Sequence, residues 1–126
     1  MRPTRKALAV VTAALALTGA MSASAAGAAA EVNGTVVASA GLKVHSGSPT
    51  GSTIDTMPYN SVARIYCYTT GASVTGPYGT TDEWDAIDGY TPPGGSYVAY
   101  GAGKKVFASD AWINTGGDTA KLVRHC

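Results

Sequence analysis

Two different periods divide this chain. Residues 7–20 form an apolar run without a polar face, and from Val32 onward short alternating segments take over. In Gly41–His45, Leu42 and Val44 fall on one side and Lys43 and His45 on the other, as successive side chains of a strand do. The stretch S-V-A-R-I-Y-C-Y-T-T, Ser61 to Thr70, is the clearest strand: Ala63, Ile65 and Cys67 share one face, and Val62, Arg64, Tyr66 and Tyr68 the other. Further strands are expected over Val32–Ala38, in E-W-D-A-I-D, in V-F-A-S-D-A-W-I and in the closing A-K-L-V-R-H-C. Between them lie glycine-punctuated turns. T-G-A-S-V-T-G-P-Y-G-T-T reads as a loop or hairpin, and G-Y-T-P-P-G-G-S-Y-V-A-Y-G-A-G-K-K as a long loop region. Beyond the first 30 residues no window repeats apolar positions at helical spacing, so no helix is expected there. Five or so short strands separated by turn signals predict an all-β domain, a small barrel or sandwich.

The apolar run follows a basic hexapeptide with Arg2, Arg5 and Lys6, and it ends among small residues. Ala23-Ser24-Ala25 and Ala28-Ala29-Ala30 both fit a signal-peptidase site, so residues 1–30 read as a secretory signal with cleavage between 25 and 30. The run is too short and too rich in alanine and threonine for the ~20 apolar residues of a membrane span. The mature protein, residues 31–126, is then expected without a membrane anchor, secreted or cell-wall associated, and large enough for one domain. Export reverses the charge: six basic residues against eight acids leave a net charge of −2. No basic stripe remains to hold nucleic acid. The two cysteines, Cys67 and Cys126, are expected to form one disulfide in an oxidising compartment, closing a 59-residue separation. The chain-entropy treatment credits such a loop with ~4 kcal/mol.

Candidate chemistry is sparse. His45-Ser46 has no G-x-S-x-G surroundings, and the other histidine, His125, neighbours the last residue, so no catalytic residue is expected. Asp82, Glu83, Asp85 and Asp88 around Trp84 lack the spacing of a calcium loop, and no metal or other cofactor is expected. Asn33-Gly34-Thr35 is read as a chance glycosylation sequon, and Gly101-Ala102-Gly103-Lys104 lacks the spacing of a phosphate loop.

The segments G-L-K-V-H-S-G-S-P-T, T-M-P-Y-N-S-V-A-R-I-Y-C, W-D-A-I and F-A-S-D-A-W-I, in that order, resemble bacterial SH3-like (SH3b) domains of the small secreted, Cys-terminated type. The resemblance spans Gly34 to Cys126 and implies a small SH3-like β-barrel with extended loops. It places Trp84, Phe107 and Trp112 in the core. It also implies a non-catalytic, monomeric binding module for cell-wall peptidoglycan or an extended peptide within it. His45 stands where the family has Arg, Ser61 where it has Gly, and the region between Ile87 and Phe107 is longer than the family's hairpin. Tyr78, Tyr90, Tyr97 and Tyr100 lie in the Gly/Pro-rich segments, where a flat ring with a hydroxyl suits sugar or peptide recognition, and they are the candidate binding residues. The alternative is a small secreted effector or inhibitor that binds another protein through the 89–105 loop. A wall hydrolase lacks a nucleophile–base pair.

Overall fold

The structure is a computed structural model that describes residues 31–126 apart from Ala102; the expected signal segment lies outside the described residues. The described residues form nine strands in one curled sheet, so the fold is all-β and barrel-like. In chain order these are β1 (Val32–Val36), β2 (Leu42–Ser46), β3 (Thr53–Met57), β4 (Val62–Gly76), β5 (Gly79–Thr91), β6 (Val98–Ala99), β7 (Val106–Ser109), β8 (Ile113–Asn114) and β9 (Arg124–His125). Their order across the sheet is β3-β2-β7-β5-β4-β1-β8, with β6 beside β5 and β9 beside β4.

The long antiparallel hairpin of β4 and β5 is the spine, paired from Val62↔Thr91 to Gly76↔Gly79. Its turn, Pro77-Tyr78, is closed by Gly79 at φ 115°, a left-handed position that suits glycine. Along β4 the predicted alternation holds: Ala63, Ile65 and Cys67 are buried, while Val62 and Arg64 face solvent. Along β5 alternation fails, because every residue from Trp84 to Tyr90 is buried. β5 is flanked by β4 and β7, and register shifts at Arg64/Ile65 and Ile65/Cys67 rotate its side chains between two packing regions. Ile87 and Tyr90 join the main core with Val36, Val44, Met57, Ile65 and Val106; Trp84 and Ala86 join a second cluster with Cys67 and Phe107.

Several sequence expectations are corrected here. Tyr90 belongs to the end of β5 and is buried; it is not a loop residue, because Ala63 on β4 and Val98 on β6 pair with it from both sides. Of the three aromatics expected in the core, Trp84 and Phe107 are buried, whereas Trp112 is only half-buried against it. The expected absence of helix is also revised. Asp110–Trp112 forms a 3-10 turn capped by Ser109, and Thr119–Leu122 forms one α-turn (α1) capped by Asp118. Each is shorter than the stretch over which helical periodicity can register.

The C-terminus closes the molecule. β1 covers one edge of β4 at Val62–Ile65, and β9 takes the same edge further on, parallel, at Cys67 and Tyr68. The Cys126 N–H donates to the Tyr68 carbonyl at 2.7 Å, and Cys126 is disulfide-bonded to Cys67, with Cα atoms 5.0 Å apart. The strand pairing and the covalent bond therefore fix one junction. Replacing both cysteines by serine is expected to lower stability by about 2–5 kcal/mol, a melting-temperature drop of ~10 °C or more, in thermal unfolding followed by circular dichroism. A drop of under ~3 °C would mean that β9 docks without its covalent tie.

Candidate ligand-binding recesses

Three of the four candidate tyrosines come together, and the fourth does not. Asp55 on β3 accepts from the Tyr100 hydroxyl at 2.6 Å and the Tyr90 hydroxyl at 3.3 Å, with the two rings 5.9 Å apart. Burial and the Asp55 carboxylate push both phenols above the ordinary tyrosine range. Tyr97 donates to Asp88 Oδ1 at 3.0 Å and lies under the Arg64 guanidinium, 5.3 Å from the ring centroid. Arg64 in turn pairs with Glu31 and with Asp88 at 3.7 Å. Gly89 is required beneath this group, since a Cβ there would overlap the Tyr97 ring. The backbone N–H groups of Tyr100 and Gly101 both donate to the Asp88 carbonyl. These tyrosines therefore clasp the 92–101 segment onto β3 and β5, and their hydroxyls already serve carboxylates of the chain itself.

Tyr78 sits at the opposite end of the β4–β5 hairpin, 64% exposed, and makes no hydrogen bond among the described residues. It borders a recess of about 360 Å³ between the hairpin tip and the segment running from the 3-10 turn through β8. Thr80 and Thr81 line one wall, and Asp110, Asn114 and Thr115 the other. The walls meet closely because Gly76 lets the hairpin touch the Ala111 carbonyl, which a Cβ would overlap. Thr75 and Thr80 hydroxyls pair at 2.8 Å across the hairpin. Asn114 Oδ1 accepts from the Gly116 N–H at 2.9 Å, and Thr115 donates to the Gly117 carbonyl at 2.8 Å, which shapes the opposite turn. Of the lining residues, only Tyr78 carries a local sequence signal of binding; Asn114 and Thr115 come near it through tertiary packing alone.

A second recess of about 300 Å³ lies beside β2, lined by Lys43, His45, Trp84 and Trp112. The His45 ring meets Trp84 edge-on at 5.6 Å, and its Nδ1 lies 3.0 Å from the Gly51 carbonyl. Trp84 donates to the Ala72 carbonyl at 2.9 Å. His45 is thus a packing and turn-bracing residue in this structure. The L-K-V-H alternation placed it on the outward face, but its Trp partner comes from β5.

Within the hairpin, β5 buries a carboxyl group. Asp85 is fully buried, and neither carboxyl oxygen has a hydrogen-bond partner among the described residues. Burial, with Asp110 and then Glu83 as neighbouring carboxylates, pushes its pKa well above the usual range. Glu83 is raised as well, first by burial and then by Asp118, Asp110 and Asp82. Asp110 itself accepts from the buried Thr119 hydroxyl at 2.7 Å, which ties α1 to the floor of this end.

What these features define is a disulfide-closed, all-β domain with polar and aromatic surface recesses. Comparison with known proteins adds kinship. Over 87 residues, 67% of each chain, it is 37% identical to the uncharacterized protein YraI of Bacillus subtilis (strain 168). It is 34% identical over 87 residues to the uncharacterized protein YraJ of the same organism, covering 67% of this chain and 68% of that one. The chain belongs to the family of these two Bacillus proteins. No family model and no solved structure matches it.

Two measurements probe this wiring. Tyr100→Phe removes the shorter hydrogen bond to Asp55 and is expected to cost about 1–2 kcal/mol in chemical denaturation; a neutral substitution would show that the 92–101 segment does not depend on it. For Asp85, the folded pKa lies above the unfolded value, so the folded state keeps a proton that the unfolded chain releases. Stability from this group is present below the unfolded pKa and is lost as pH rises through the folded one, by at most ~1.4 kcal/mol per pH unit. As pH rises above the ordinary carboxylate range, the melting temperature of the native protein is expected to fall more steeply than that of Asp85→Asn, by up to ~5 °C per pH unit. Parallel profiles would place a proton-independent partner at Asp85.

Proposed function

We propose that this protein is a secreted, non-catalytic binding module of the bacterial SH3-like type that recognises cell-wall peptidoglycan or its peptides. Residues 1–30 direct export, and residues 31–126 act as a monomeric domain. The disulfide supports an oxidising destination, since such bonds persist outside the reducing cytosol. Bacterial kinship and a curled all-β sheet of short strands support the SH3-like assignment. A binding role is favoured over catalysis by the positions of the two histidines. His45 is braced by Gly51 and Trp84, and the His125 ring packs edge-on against Tyr68 at 4.9 Å.

The observation that carries the reading is the recess at Tyr78. It pairs an exposed aromatic ring with hydroxyl and amide groups on a braced frame, as non-covalent recognition of a polar polymer requires. A second reading, a secreted effector or inhibitor that binds a protein through the 89–105 segment, is favoured by Tyr97 and Val98. Both are exposed on or beside β6, which among the described residues pairs with β5 alone.

Sedimentation of the oxidised protein with washed peptidoglycan sacculi tests the first reading. Binding is expected to fall at least ~5-fold in Tyr78→Ala. It should persist in Tyr90→Phe and in a variant with the 92–101 segment shortened. A native protein that stays in the supernatant across salt and pH would overturn wall recognition. Capture of a secreted protein that requires the 89–105 segment would establish the second reading in its place.

A further inference from the structure

We infer that the Tyr78 recess is a saccharide subsite, shaped for a neutral amino-sugar chain of the wall polymer and not for the polymer's peptides. This deepens the wall-binding reading and rests on it. The lining chemistry selects the class. Tyr78 offers an apolar ring face at the rim and Asn114 an amide, while the hydroxyls of Thr80, Thr81 and Thr115, each already paired within the chain, keep the rest of their hydrogen-bonding capacity for a ligand. A sugar ring presents the matching pattern, C–H bonds on one face and hydroxyl or acetamido groups at the edge. With its Oδ1 taken by the Gly116 N–H, Asn114 has its Nδ2 donors left for an acceptor such as an acetamido carbonyl.

The same lining disfavours the other candidates. No Lys or Arg borders the recess, whereas Asp110 does. Asp82, Glu83 and Asp118 lie close enough to that carboxylate set for Glu83 to feel Asp118, Asp110 and Asp82 together. A peptide bearing free carboxylates would meet like charge there. An apolar peptide would find only Ala111 and Ile113 beneath the polar rim, and both are buried. An inorganic cation is poorly served too, because among the described residues no three His, Cys, Asp or Glu side chains are grouped to hold a metal. A volume of about 360 Å³ falls in the size range of small-ligand sites, ~300–1,000 Å³.

The site is also built before the ligand arrives. The Thr75–Thr80 hydroxyl pair braces the hairpin wall, and the Gly76–Ala111 contact sets the gap between the walls. On the opposite wall the Asn114–Gly116 and Thr115–Gly117 hydrogen bonds hold a turn in which Gly116 takes φ 82°. Asp110 is pinned by Thr119 from α1. A recess whose walls are fixed in advance loses little conformational entropy on binding, which suits weak, repeated contacts along a polymer.

The test titrates the oxidised, isotope-labelled protein with a β-1,4-linked N-acetylglucosamine oligomer and, separately, with a free acidic wall stem peptide. Amide resonances are followed for both. The expected result is saturable shifts confined to residues 78–81 and 113–117 with the oligomer, none there with the peptide, and affinity at least ~5-fold weaker in Tyr78→Ala and Asn114→Ala. Both side chains are exposed, and unchanged resonances elsewhere in the spectrum verify that the variants fold. Shifts at these residues with the peptide alone would overturn the assignment. If the oligomer leaves them unmoved while the protein still sediments with sacculi, the saccharide subsite falls and wall binding stands. If the oligomer binds there but sacculi do not retain the protein, the subsite stands and wall recognition falls.

Discussion

The pairing of β4 with β5 is the constraint from which the rest of this molecule follows. Those strands run together from Val62↔Thr91 to the Gly76↔Gly79 turn, and the rest of the sheet builds outward from them, through β7 and β2 to β3 on one side and through β1 to β8 on the other. β1 and β9 line one edge of β4, while β7 and β6 line successive stretches of β5. The register shifts near Ile65 keep the ribbon from being a flat hairpin: they turn its buried face from the main core to the Trp84–Phe107 cluster. Past that cluster the ribbon extends beyond the sheet, which carries Tyr78 out to meet the turn after β8.

Polar groups are handled differently at the two ends. At the open end of the ribbon, Asp55 and Asp88 receive tyrosine hydroxyls, and Arg64 answers Glu31 and Asp88. Each buried or half-buried charge there has a partner, so the long 92–101 segment is held by directional contacts. Towards the other end, Asp85 is buried with carboxyl groups, those of Asp110 and Glu83, as the neighbours that raise its pKa. Burying an unpaired carboxylate favours its neutral form. The domain thus combines a clasped, saturated end with an acidic one, and the acidic end carries the recess with the most exposed tyrosine.

The all-β class was legible because strand alternation and glycine punctuation are local signals. In Ser61–Thr70 the inward face of Ala63, Ile65 and Cys67 follows from a period of two, and a count of two cysteines points to one bond. Those are properties of neighbouring residues or of counts, so the chain states them openly. Tyr90 looks like a loop residue from its glycine- and proline-rich surroundings, and its burial depends on pairing with Ala63, 27 residues away along the chain, and with Val98 across the turn. α1 left no periodic trace because it is one turn long.

Candidate binding residues divided for the same reason. Composition could name Tyr78, Tyr90, Tyr97 and Tyr100 as aromatic side chains in glycine-rich surroundings, and it could not say which hydroxyls already had acceptors. Asp55 is 35 residues from Tyr90 and 45 from Tyr100, so only the fold brings that carboxylate to both rings. Asn114 and Thr115 reach Tyr78's neighbourhood because Gly76 has no Cβ to hold the hairpin off Ala111. By itself the sequence determined the all-β class, the inward face of the central strand and the cysteine pair, which rest on local alternation or on counts. Five or so expected strands became nine among the described residues, and Thr53–Met57 is one that the sequence did not mark. Tertiary structure alone decided which tyrosines are clasps and which one borders a recess, because hydrogen-bond partners and close backbone approaches are set by residues distant in the chain.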